Sequence, residues 1–450
     1  MNFQHRRTLS QALILSFALA IMAGVVVFGG LAPAPTRPPD DELFGGPELS
    51  YAAGAYSDIE GWTVDDQYAA LAGFLRSCAR LKQADPAAPA NPREAIGPDF
   101  EGASFSGLIG DWLKACADGE ALAAESFSNP ADAAAAARNF FEAEFVPFRI
   151  IEKRQRREGV SGRPKISRTG LVTGYFEPVY RASSEPTSAE PAPLLARPAD
   201  LVMVDLGSFS TKLAGERIAG SVDGGRLVPY PDHAGINEGA LGARAVPLAF
   251  LGADDLFFLQ IQGSGRLSFA DGSVVRVGYD GQNGRPYSAI GKFLLERGAL
   301  TRENISMQTI RAWLEAASPE EARALREKNE SYVFFRRLDE LPDPDLGPLG
   351  SEGVQLTPMR SVAVDRRFHA MGAPIWLNLE REDDAPPVER LFIAQDEGGA
   401  IKGPARADIF VGAGAEAGEF AGKLKAEAEM FALVPKRAAE RFIAAKGRAR

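Results

Sequence analysis

The spacing of apolar residues changes along the chain and divides it into helical and strand-like stretches. Over 62–154, apolar residues recur every three or four positions, which predicts helices. Over 167–280, short runs rich in β-branched and aromatic residues are separated by glycine and proline, as is typical of strands. Helical spacing returns over 288–328, and further strands follow a Pro/Gly-rich stretch at 341–356. We therefore predict a mainly β protein with N-terminal helices.

The start of the chain has a different pattern. Basic residues at 5–7 precede an uncharged apolar run at 12–32, which is nearly long enough to span a bilayer. This predicts export, with 1–34 acting either as a cleaved signal peptide or as a retained N-terminal membrane anchor. An Ala-Pro-Ala sequence ending at Ala34 resembles a cleavage site, but Pro35 would follow the cut, where proline is disfavoured.

Composition restricts the classes of partner and cofactor. Lys and Arg are scattered through a chain with a net charge of −10. This argues against nucleic acid as a partner, because phosphate binding requires a concentrated basic face. No Cys/His cluster has metal-ligand spacing, so we expect no metal site. Cys78 and Cys116 fit either a disulfide between neighbouring helices of an exported protein or two small buried apolar residues.

A set of short motifs then indicates a family. In chain order they are TGYFEPVY, LVPY, FFLQIQGSGRL, VGYDGQNGRPYSAIGKFLLERG, NESYVFF, VAVDRRF and AQDEGGAIKG followed by ADIFVGAG. No single motif is specific, but the ordered set resembles the membrane-bound lytic murein transglycosylase A family over about 141–435. The closing segment is similar to the three-aspartate (3D) domain, with Asp365, Asp396 and Asp408 at the matching positions.

This resemblance implies a fold. The expected architecture is a six-stranded double-psi β-barrel built from both ends of the chain, plus an inserted smaller β-rich domain, with a groove between them that holds a glycan strand. The implied segments are 1–34 (signal peptide or anchor), 35–60 (linker), 61–177 (N-terminal helices and first part of the barrel), 178–337 (inserted glycan-binding domain), 338–436 (second part of the barrel, the three-aspartate domain) and 437–450 (basic C-terminal tail).

The resemblance also implies a reaction. The expected enzyme is a cofactor-independent, exo-acting lyase of peptidoglycan that cleaves the β-1,4 bond between N-acetylmuramic acid and N-acetylglucosamine and forms a 1,6-anhydro ring. The residues themselves leave endo and exo action open. Asp408 matches the single catalytic residue, acting first as acid and then as base. Its apolar neighbours Ile409 and Phe410 favour the raised pKa that an acid needs.

Other candidate site residues flank this aspartate or lie in the middle region. Asp396 is expected to support the site, and Lys402 and Gly403 lie in the glycine turn between the two aspartates, where backbone can approach sugar. The alternation in FFLQIQ predicts a strand with Gln260 and Gln262 on one face. The remaining candidate substrate-binding residues are Thr173, Tyr175, Ser264, Gly265, Tyr279 and Asn283, with Tyr287 as a further aromatic.

Each of these residues also has an ordinary structural interpretation. An aspartate before glycine is often a turn residue, the glutamines fit a solvated sheet face, and Tyr175 fits a core position. Two other functions compete with the leading one: a β-glycan hydrolase of the double-psi barrel type and a non-catalytic peptidoglycan-binding protein. The expected partners are peptidoglycan glycan strands in the periplasm, with other cell-wall enzymes and a membrane contact through 1–34 as further candidates.

The chain departs from the family pattern at three points. No cysteine follows the apolar run, so an N-terminal lipid anchor is not available. Glu177 follows Phe176, where relatives carry a neutral residue. One extra residue lies between Asp396 and Asp408, which changes the loop that leads to the expected catalytic residue.

Overall fold

The computed structural model of the chain describes residues 43–94, 104–213, 217–339, 341, 343–379 and 387–448. The predicted export segment, 1–34, lies outside the described residues. Within the described ranges, no helix combines the length and the apolar character that a bilayer crossing requires. The chain folds into two compact units. Of the described residues, the first unit contains 43–177 and 343–448, and the second lies within 178–342.

The first unit begins with helices that pack beside strands. Its N-terminal elements are β1 (Glu48–Ala53), α1 (Gln67–Leu81), α2 (Ile109–Ala123), α3 (Pro130–Glu144), β2 (Phe145–Arg154), β3 (Lys165–Ser167) and β4 (Thr169–Glu177), with a short 3-10 helix at Tyr56–Asp58. A disulfide joins Cys78 of α1 to Cys116 of α2, with their Cα atoms 5.5 Å apart.

Two sequence predictions fail in this part. The linker predicted at 35–60 contains β1, which pairs antiparallel with β2 and buries Leu49 and Tyr51 on alternate positions. The helical prediction for 62–154 extends too far, because β2 occupies Phe145–Arg154. Pro147 and the β-branched residues after it favour an extended backbone there.

The second unit is built from small sheets and short helices. Its elements are β5 (Val179–Arg181), β6 (Ala192–Leu195), β7 (Val202–Asp205), β8 (Arg217–Asp223), β9 (Arg226–Pro229), α4 (His233–Asn237), β10 (Pro247–Leu251), α5 (Ala253–Gln262), β11 (Ser264–Ser268), β12 (Val274–Gln282), α6 (Ile290–Glu296), α7 (Met307–Ala316), α8 (Pro319–Arg326) and β13 (Val333–Arg337), with 3-10 helices at Leu206–Ser208, Thr211–Leu213 and Gly242–Arg244.

Local turn and cap signals in this unit act as predicted. The sequence between β11 and β12 predicts a hairpin with Asp271 and Gly272 at the turn. The two strands pair antiparallel, and Gly272 adopts the positive φ of +84° that favours glycine. The Ser-Pro-Glu-Glu sequence at 318–321 predicts a helix start. Ser318 caps α8, and its hydroxyl accepts a hydrogen bond from the Glu321 N–H. The described strands form sheets in the orders β13-β12-β11-β5, β7-β8-β9 and β10-β6.

The chain then returns to the first unit. Its remaining elements are β14 (Ser361–Val364), β15 (Pro374–Leu379), β16 (Val388–Asp396), β17 (Ala407–Ala413), α9 (Gly414–Lys423), β18 (Lys425–Pro435) and α10 (Lys436–Arg448). The basic tail predicted at 437–450 is therefore wrong where it is described. Apolar residues at helical spacing, Ala438, Ala439 and Phe442, bury one side of α10, and Arg441 forms an ion pair with Asp111.

The main sheet closes on itself. Its order is β1-β2-β18-β15-β16-β14-β17-β4, with β3 beside β2 and an additional pairing of β18 with β4. The pairings β18–β15–β16–β14–β17–β4–β18 thus form a ring of six strands, one from before the second unit in the sequence and five from after it. The short strand β14 is buried at all four positions, so it lies in the interior of this unit.

A buried ion pair fixes the residue that precedes β14. Arg360 donates from Nη1 and Nη2 to the two carboxylate oxygens of Asp65, at 2.8 Å each. The same carboxylate accepts a hydrogen bond of 2.9 Å from the Leu391 N–H on β16. Such planar, two-point pairing is geometrically specific. It holds the start of β14 against β16.

Candidate active site

Asp396 and Asp408 lie on either side of β14. Asp396 is the last residue of β16 and pairs with Ala363 of β14. Asp408 is the second residue of β17 and pairs with Ala363 from the opposite side. The register of β16 against β14 shifts at this pair, whereas β17 keeps a regular register opposite Ala363. The fold therefore places the backbones of the two aspartates on either side of one residue of β14.

Asp408 is a nearly buried carboxyl group with one protein donor. It is 3% exposed, and Thr173 Oγ1 donates a hydrogen bond of 2.5 Å to its Oδ1. Among the described residues, no donor lies on Oδ2. Burial raises the pKa of Asp408 to about 6, although the Thr173 hydrogen bond and the charge of Arg406 act in the opposite direction. A carboxyl group of this kind can hold and release a proton near neutral pH.

Thr173 and Asp408 meet because β4 and β17 pair in parallel with those two residues in register. Arg406, just before β17, donates from Nη2 to Thr173 Oγ1 at 2.7 Å. Its Nη1 donates to the carbonyl oxygens of Leu171, at 3.2 Å, and of Ala407. Arg406 was not among the predicted site residues. The Arg-Ala-Asp spacing contained the signal, because residues two apart on a strand share a face.

Asp396 is more completely enclosed. It is fully buried, and its Oδ1 accepts hydrogen bonds of 2.9 Å from the N–H groups of Ser351 and Glu397. Its Oδ2 accepts a hydrogen bond of 2.8 Å from the Tyr175 hydroxyl. Burial raises the pKa of Asp396 to about 6 against the effect of these donors. Both of its oxygen atoms are thus held by protein groups.

Tyr175 links the surroundings of the two aspartates. It lies two residues after Thr173 on β4, and its ring packs against Phe410 of β17 with centroids 5.4 Å apart. Burial and the charges of Asp396 and Asp408 raise the pKa of Tyr175 well above its usual value, so it stays a neutral hydrogen-bond donor. Thr173 and Tyr175 are predicted to bind substrate. In this structure their hydroxyl groups donate hydrogen bonds to the carboxyl groups of Asp408 and Asp396.

The glycine turn between the two aspartates is held by the third aspartate of the motif. Gly403 has a φ of +116°, and its N–H donates to Asp365 Oδ2 at 2.8 Å. Arg367 binds the same carboxylate, with Nη2 at 2.6 Å from Oδ2. Burial alone raises the pKa of Asp365, but the hydrogen bonds from Arg367 and from the Gly403 N–H outweigh it and lower the pKa. Lys402 is exposed to solvent beside this turn.

His369 is a second contact to this turn. It is buried, and burial lowers its pKa, so the ring is neutral. Its Nε2 lies 2.6 Å from the Pro404 carbonyl oxygen, so Nε2 carries the proton and donates it. Asp365, Arg367 and His369 therefore fix the backbone that leads into Asp408. No group of three or more His, Cys, Asp or Glu side chains is arranged to hold a metal ion in the part of the chain that the structure describes.

The predicted strand at Gln260 and Gln262 is wrong. Both residues lie on α5, and on a helix they do not share a face. Helix signals decide the outcome: two aspartates in the first turn and Gly263, with φ of +78°, at the C-terminus. Gln260 is 6% exposed, so its amide belongs to the interior of the second unit, whereas Gln262 is half-buried.

The other candidates of the second unit have mixed surroundings. Asn283 is 1% exposed, its Nδ2 donates to the carbonyl oxygens of Pro231 and Glu330 at 2.9 Å each, and its Oδ1 accepts from two backbone N–H groups. Its polar atoms are therefore used within the protein. Gly265 is packed closely against Leu259 and the Pro178 carbonyl group. Ser264, Tyr279 and Tyr287 are half-buried.

Two family models match the chain. The MltA specific insert domain matches residues 171–336, and the 3D domain matches residues 360–434. The second match contains the aspartates of the site described above, and the first begins within β4. The matched segments thus correspond to a middle region and to the C-terminal part of the six-stranded ring.

Comparisons with individual proteins give the same relationship. The chain is 38% identical over 204 residues to the membrane-bound lytic murein transglycosylase A of Escherichia coli K12, a match that covers 44% of this chain and 53% of that protein. The chain therefore spans about half the length of the curated relatives it matches. It resembles the crystal structure of MltA from Neisseria gonorrhoeae with a TM-score of 0.67 at 28% identity, covering 91% of this chain and 97% of that chain.

The alignment with a third relative covers nearly all of that relative's chain. The crystal structure of membrane-bound lytic murein transglycosylase from Agrobacterium tumefaciens has a TM-score of 0.63 and 33% identity, and the alignment covers 87% of this chain and 99% of that one. The expected architecture, mostly sheet with some helices, is confirmed at this level. With the aspartate site, the 3D match and this near-complete alignment taken together, the chain belongs to the membrane-bound lytic murein transglycosylase A family.

Proposed function

We propose that this chain is a lytic transglycosylase that cleaves the β-1,4 bond between N-acetylmuramic acid and N-acetylglucosamine in peptidoglycan. The observation that carries the proposal is the environment of Asp408, a buried carboxyl group with one hydrogen-bond donor among the described residues and a pKa raised to about 6. With this pKa, about a tenth of the molecules carry the proton at pH 7, far more than for an ordinary aspartate, and the protonated form can protonate a leaving oxygen. The activities in the names of the relatives support the choice of substrate.

A single residue is sufficient for the proposed reaction. Protonated Asp408 gives its proton to the glycosidic oxygen as the bond from that oxygen to C1 of the muramyl residue breaks. The 6-hydroxyl of the same residue then forms a bond to C1, and its proton passes to the Asp408 carboxylate. No water is consumed, and Asp408 ends in its starting state. Because the attacking hydroxyl is part of the substrate, the reaction gains from proximity.

Asp396 has a positioning role in this scheme. Its oxygen atoms already accept hydrogen bonds from Ser351, Glu397 and Tyr175. Protonating a substrate would require those contacts to rearrange. We assign to Asp396 the task of holding the end of β16 and the Tyr175 ring, which in turn packs beside Phe410 of β17. Lys402 and Gly403 remain proposed substrate-binding residues at the turn.

We also propose that the ring of six strands is a double-psi β-barrel. The ring combines the parallel pairs β4–β17 and β14–β16 with antiparallel neighbours, and its strands come from segments before and after the second unit in the sequence. We place the enzyme in the periplasm, where peptidoglycan lies, with the apolar run at 12–32 directing export. The names of the relatives, which are membrane-bound, support a location in the cell envelope.

Product analysis tests the proposed function. Purified sacculi are incubated with the protein in water enriched in oxygen-18, and the released muropeptides are analysed by mass spectrometry. We expect 1,6-anhydro ends, lighter by one water than reducing ends and free of the label, and no release by Asp408→Asn. Reducing ends that carry the label would show a hydrolase instead. Binding to sacculi without any release would show a non-catalytic binding protein.

A further inference from the structure

Two residues beside Asp408 form a chain of hydrogen bonds with a fixed direction. Arg406 Nη2 lies 2.7 Å from Thr173 Oγ1, and that oxygen lies 2.5 Å from Asp408 Oδ1. A guanidinium group can only donate hydrogen bonds, so the Thr173 oxygen accepts from Arg406. The single hydroxyl proton of Thr173 is therefore directed at Asp408. We call this arrangement the Arg406–Thr173–Asp408 chain.

We propose that Arg406 and Thr173 are positioning residues that stabilise the negatively charged form of Asp408 and so set the pH range of the reaction. The inference rests on the proposed function for its catalytic consequence, although the hydrogen bonds do not depend on it. A hydroxyl group that already accepts a bond from a cation is a stronger donor, because successive hydrogen bonds polarise one another. A carboxylate accepts such a bond more strongly than a neutral carboxylic acid does.

The backbone fixes the position of the cation. Leu171 and Thr173 are two residues apart on β4, and Arg406 donates to the Leu171 carbonyl oxygen and to the Thr173 hydroxyl. A third acceptor is the Ala407 carbonyl oxygen. With three protein acceptors on one half-buried guanidinium group, Arg406 is held in one orientation and does not behave as a mobile surface charge.

Apart from Arg406, the charged or titratable groups around Asp408 do not offset the effect of burial on its pKa. β14 presents only the methyl group of Ala363. The charged side chains of α9, which follows β17, are exposed. Among the described residues of the elements packed against Asp408, the other titratable or charged groups besides Arg406 are Tyr175 on β4, Asp396 on β16 and the exposed Lys425, which pairs with Thr173 from β18. The charge of Arg406 lowers the pKa of Asp408 and the neutral Tyr175 carries none, so Arg406 with Thr173 supplies the main opposition to the effect of burial.

This arrangement has a consequence for catalysis. Burial alone would make Asp408 reluctant to give up its proton, yet the first half of the proposed reaction needs that proton and leaves Asp408 as a buried carboxylate. The Arg406–Thr173–Asp408 chain offsets part of that reluctance. Without it, Asp408 stays protonated to higher pH, so the high-pH limb of the pH–rate profile moves upward while the maximum rate falls.

The direct test measures the proton affinity of Asp408 itself. Full-length protein labelled with carbon-13 in its aspartate carboxyl groups is titrated by NMR, and the Asp408 signal is identified by its loss in Asp408→Asn. We expect Thr173→Val and Arg406→Gln each to raise the pKa of Asp408 by about one pH unit. Thr173→Ser, which keeps the hydroxyl, leaves that pKa within a few tenths of a unit of the wild-type value.

Two comparisons keep the test decisive. An unchanged signal from Asp396 establishes that a variant is folded, and Arg406→Gln provides an independent result if Thr173→Val fails that criterion. A wild-type pKa for Asp408 in the folded variants overturns the proposal. The NMR result does not require activity on sacculi, so a shifted pKa without lytic products would refute the proposed function alone. Lytic activity that depends on Asp408 with an unshifted pKa would refute the Arg406–Thr173 proposal alone.

Discussion

The surroundings of Asp396 and of Asp408 differ although the two residues occupy equivalent places beside β14. Both pair with Ala363, and burial raises the pKa of each to about 6. Asp396 accepts hydrogen bonds on both oxygens from three protein donors. Asp408 accepts one, from Thr173, and among the described residues none reaches its second oxygen.

This difference separates a structural carboxyl group from a reactive one. A carboxyl group whose oxygens are filled by fixed donors cannot deliver a proton to a new partner without breaking contacts, each worth about 0.5–1.5 kcal/mol net. A carboxyl group with one free oxygen can. Similar pKa values alone would not distinguish the two residues, and the donor geometry does.

Replacing each aspartate with asparagine gives the largest expected contrast. We expect Asp408→Asn to lower the rate of glycan cleavage by about 10²–10⁴-fold, because an amide cannot deliver the proton. Asp396→Asn should cost about tenfold or less, because it disturbs position and not chemistry. The measurement is the initial rate of muropeptide release from sacculi, with binding to sacculi as the control for folding. Equal losses of rate in the two variants would show that Asp396 and Asp408 do not differ in their roles.

The free energy of unfolding of the same two variants should depend on pH in different ways. A carboxyl group whose folded pKa is raised stabilises the fold below its unfolded pKa, near 3.9, and loses that contribution as pH rises through about 6. Asp408→Asn removes this loss, so we expect it to be more stable than wild type by about 1–3 kcal/mol at pH 8 and equal to it near pH 4.

Asp396→Asn should gain less at pH 8. The amide nitrogen would face the Tyr175 hydroxyl, which donates to Asp396 in the wild type and would have to accept instead. Urea unfolding at pH 4 and pH 8 measures both variants. A larger gain for Asp396→Asn than for Asp408→Asn would contradict the assigned environments.

Tyr175→Phe is expected to have the smallest effect. It removes one donor from Asp396 and keeps the ring that packs against Phe410. We expect a loss of about 0.5–1.5 kcal/mol of stability, a further rise in the pKa of Asp396 and less than a tenfold loss of activity. The carbon-13 titration of Asp396 and Asp408 checks this directly. A pKa shift confined to Asp408 would show that the Tyr175 hydroxyl donates to Asp408 and not to Asp396.

Local sequence signals account for much of the fold but not for the contacts of the site. The turn at Asp271 and the cap at Ser318 depend on neighbouring residues, and both form as predicted. The alternation of apolar and polar residues up to Gln262 is typical of a strand. The segment is nevertheless a helix, which ends at Gly263. Periodicity over so few residues does not separate the two structures.

The site required information that no local pattern contains. The resemblance singled out Asp396 and Asp408 in advance, but Thr173 donates to Asp408 from 235 residues away. That contact depends on the parallel pairing of β4 with β17, two strands that are far apart in the sequence. Arg406 acts through the same pairing. For the same reason, the glutamine and asparagine candidates of the second unit could not be sorted by sequence into buried and accessible groups.

Chemical rescue tests the central claim, that Asp408 carries the proton and Asp396 does not. Asp408→Ala and Asp396→Ala are assayed on sacculi with and without added formate, a small carboxylic acid that can enter the space left by a side chain. Formate should raise the rate of Asp408→Ala by tenfold or more, with 1,6-anhydro products, and leave Asp396→Ala unchanged. Rescue of Asp396→Ala with no rescue of Asp408→Ala would contradict the account.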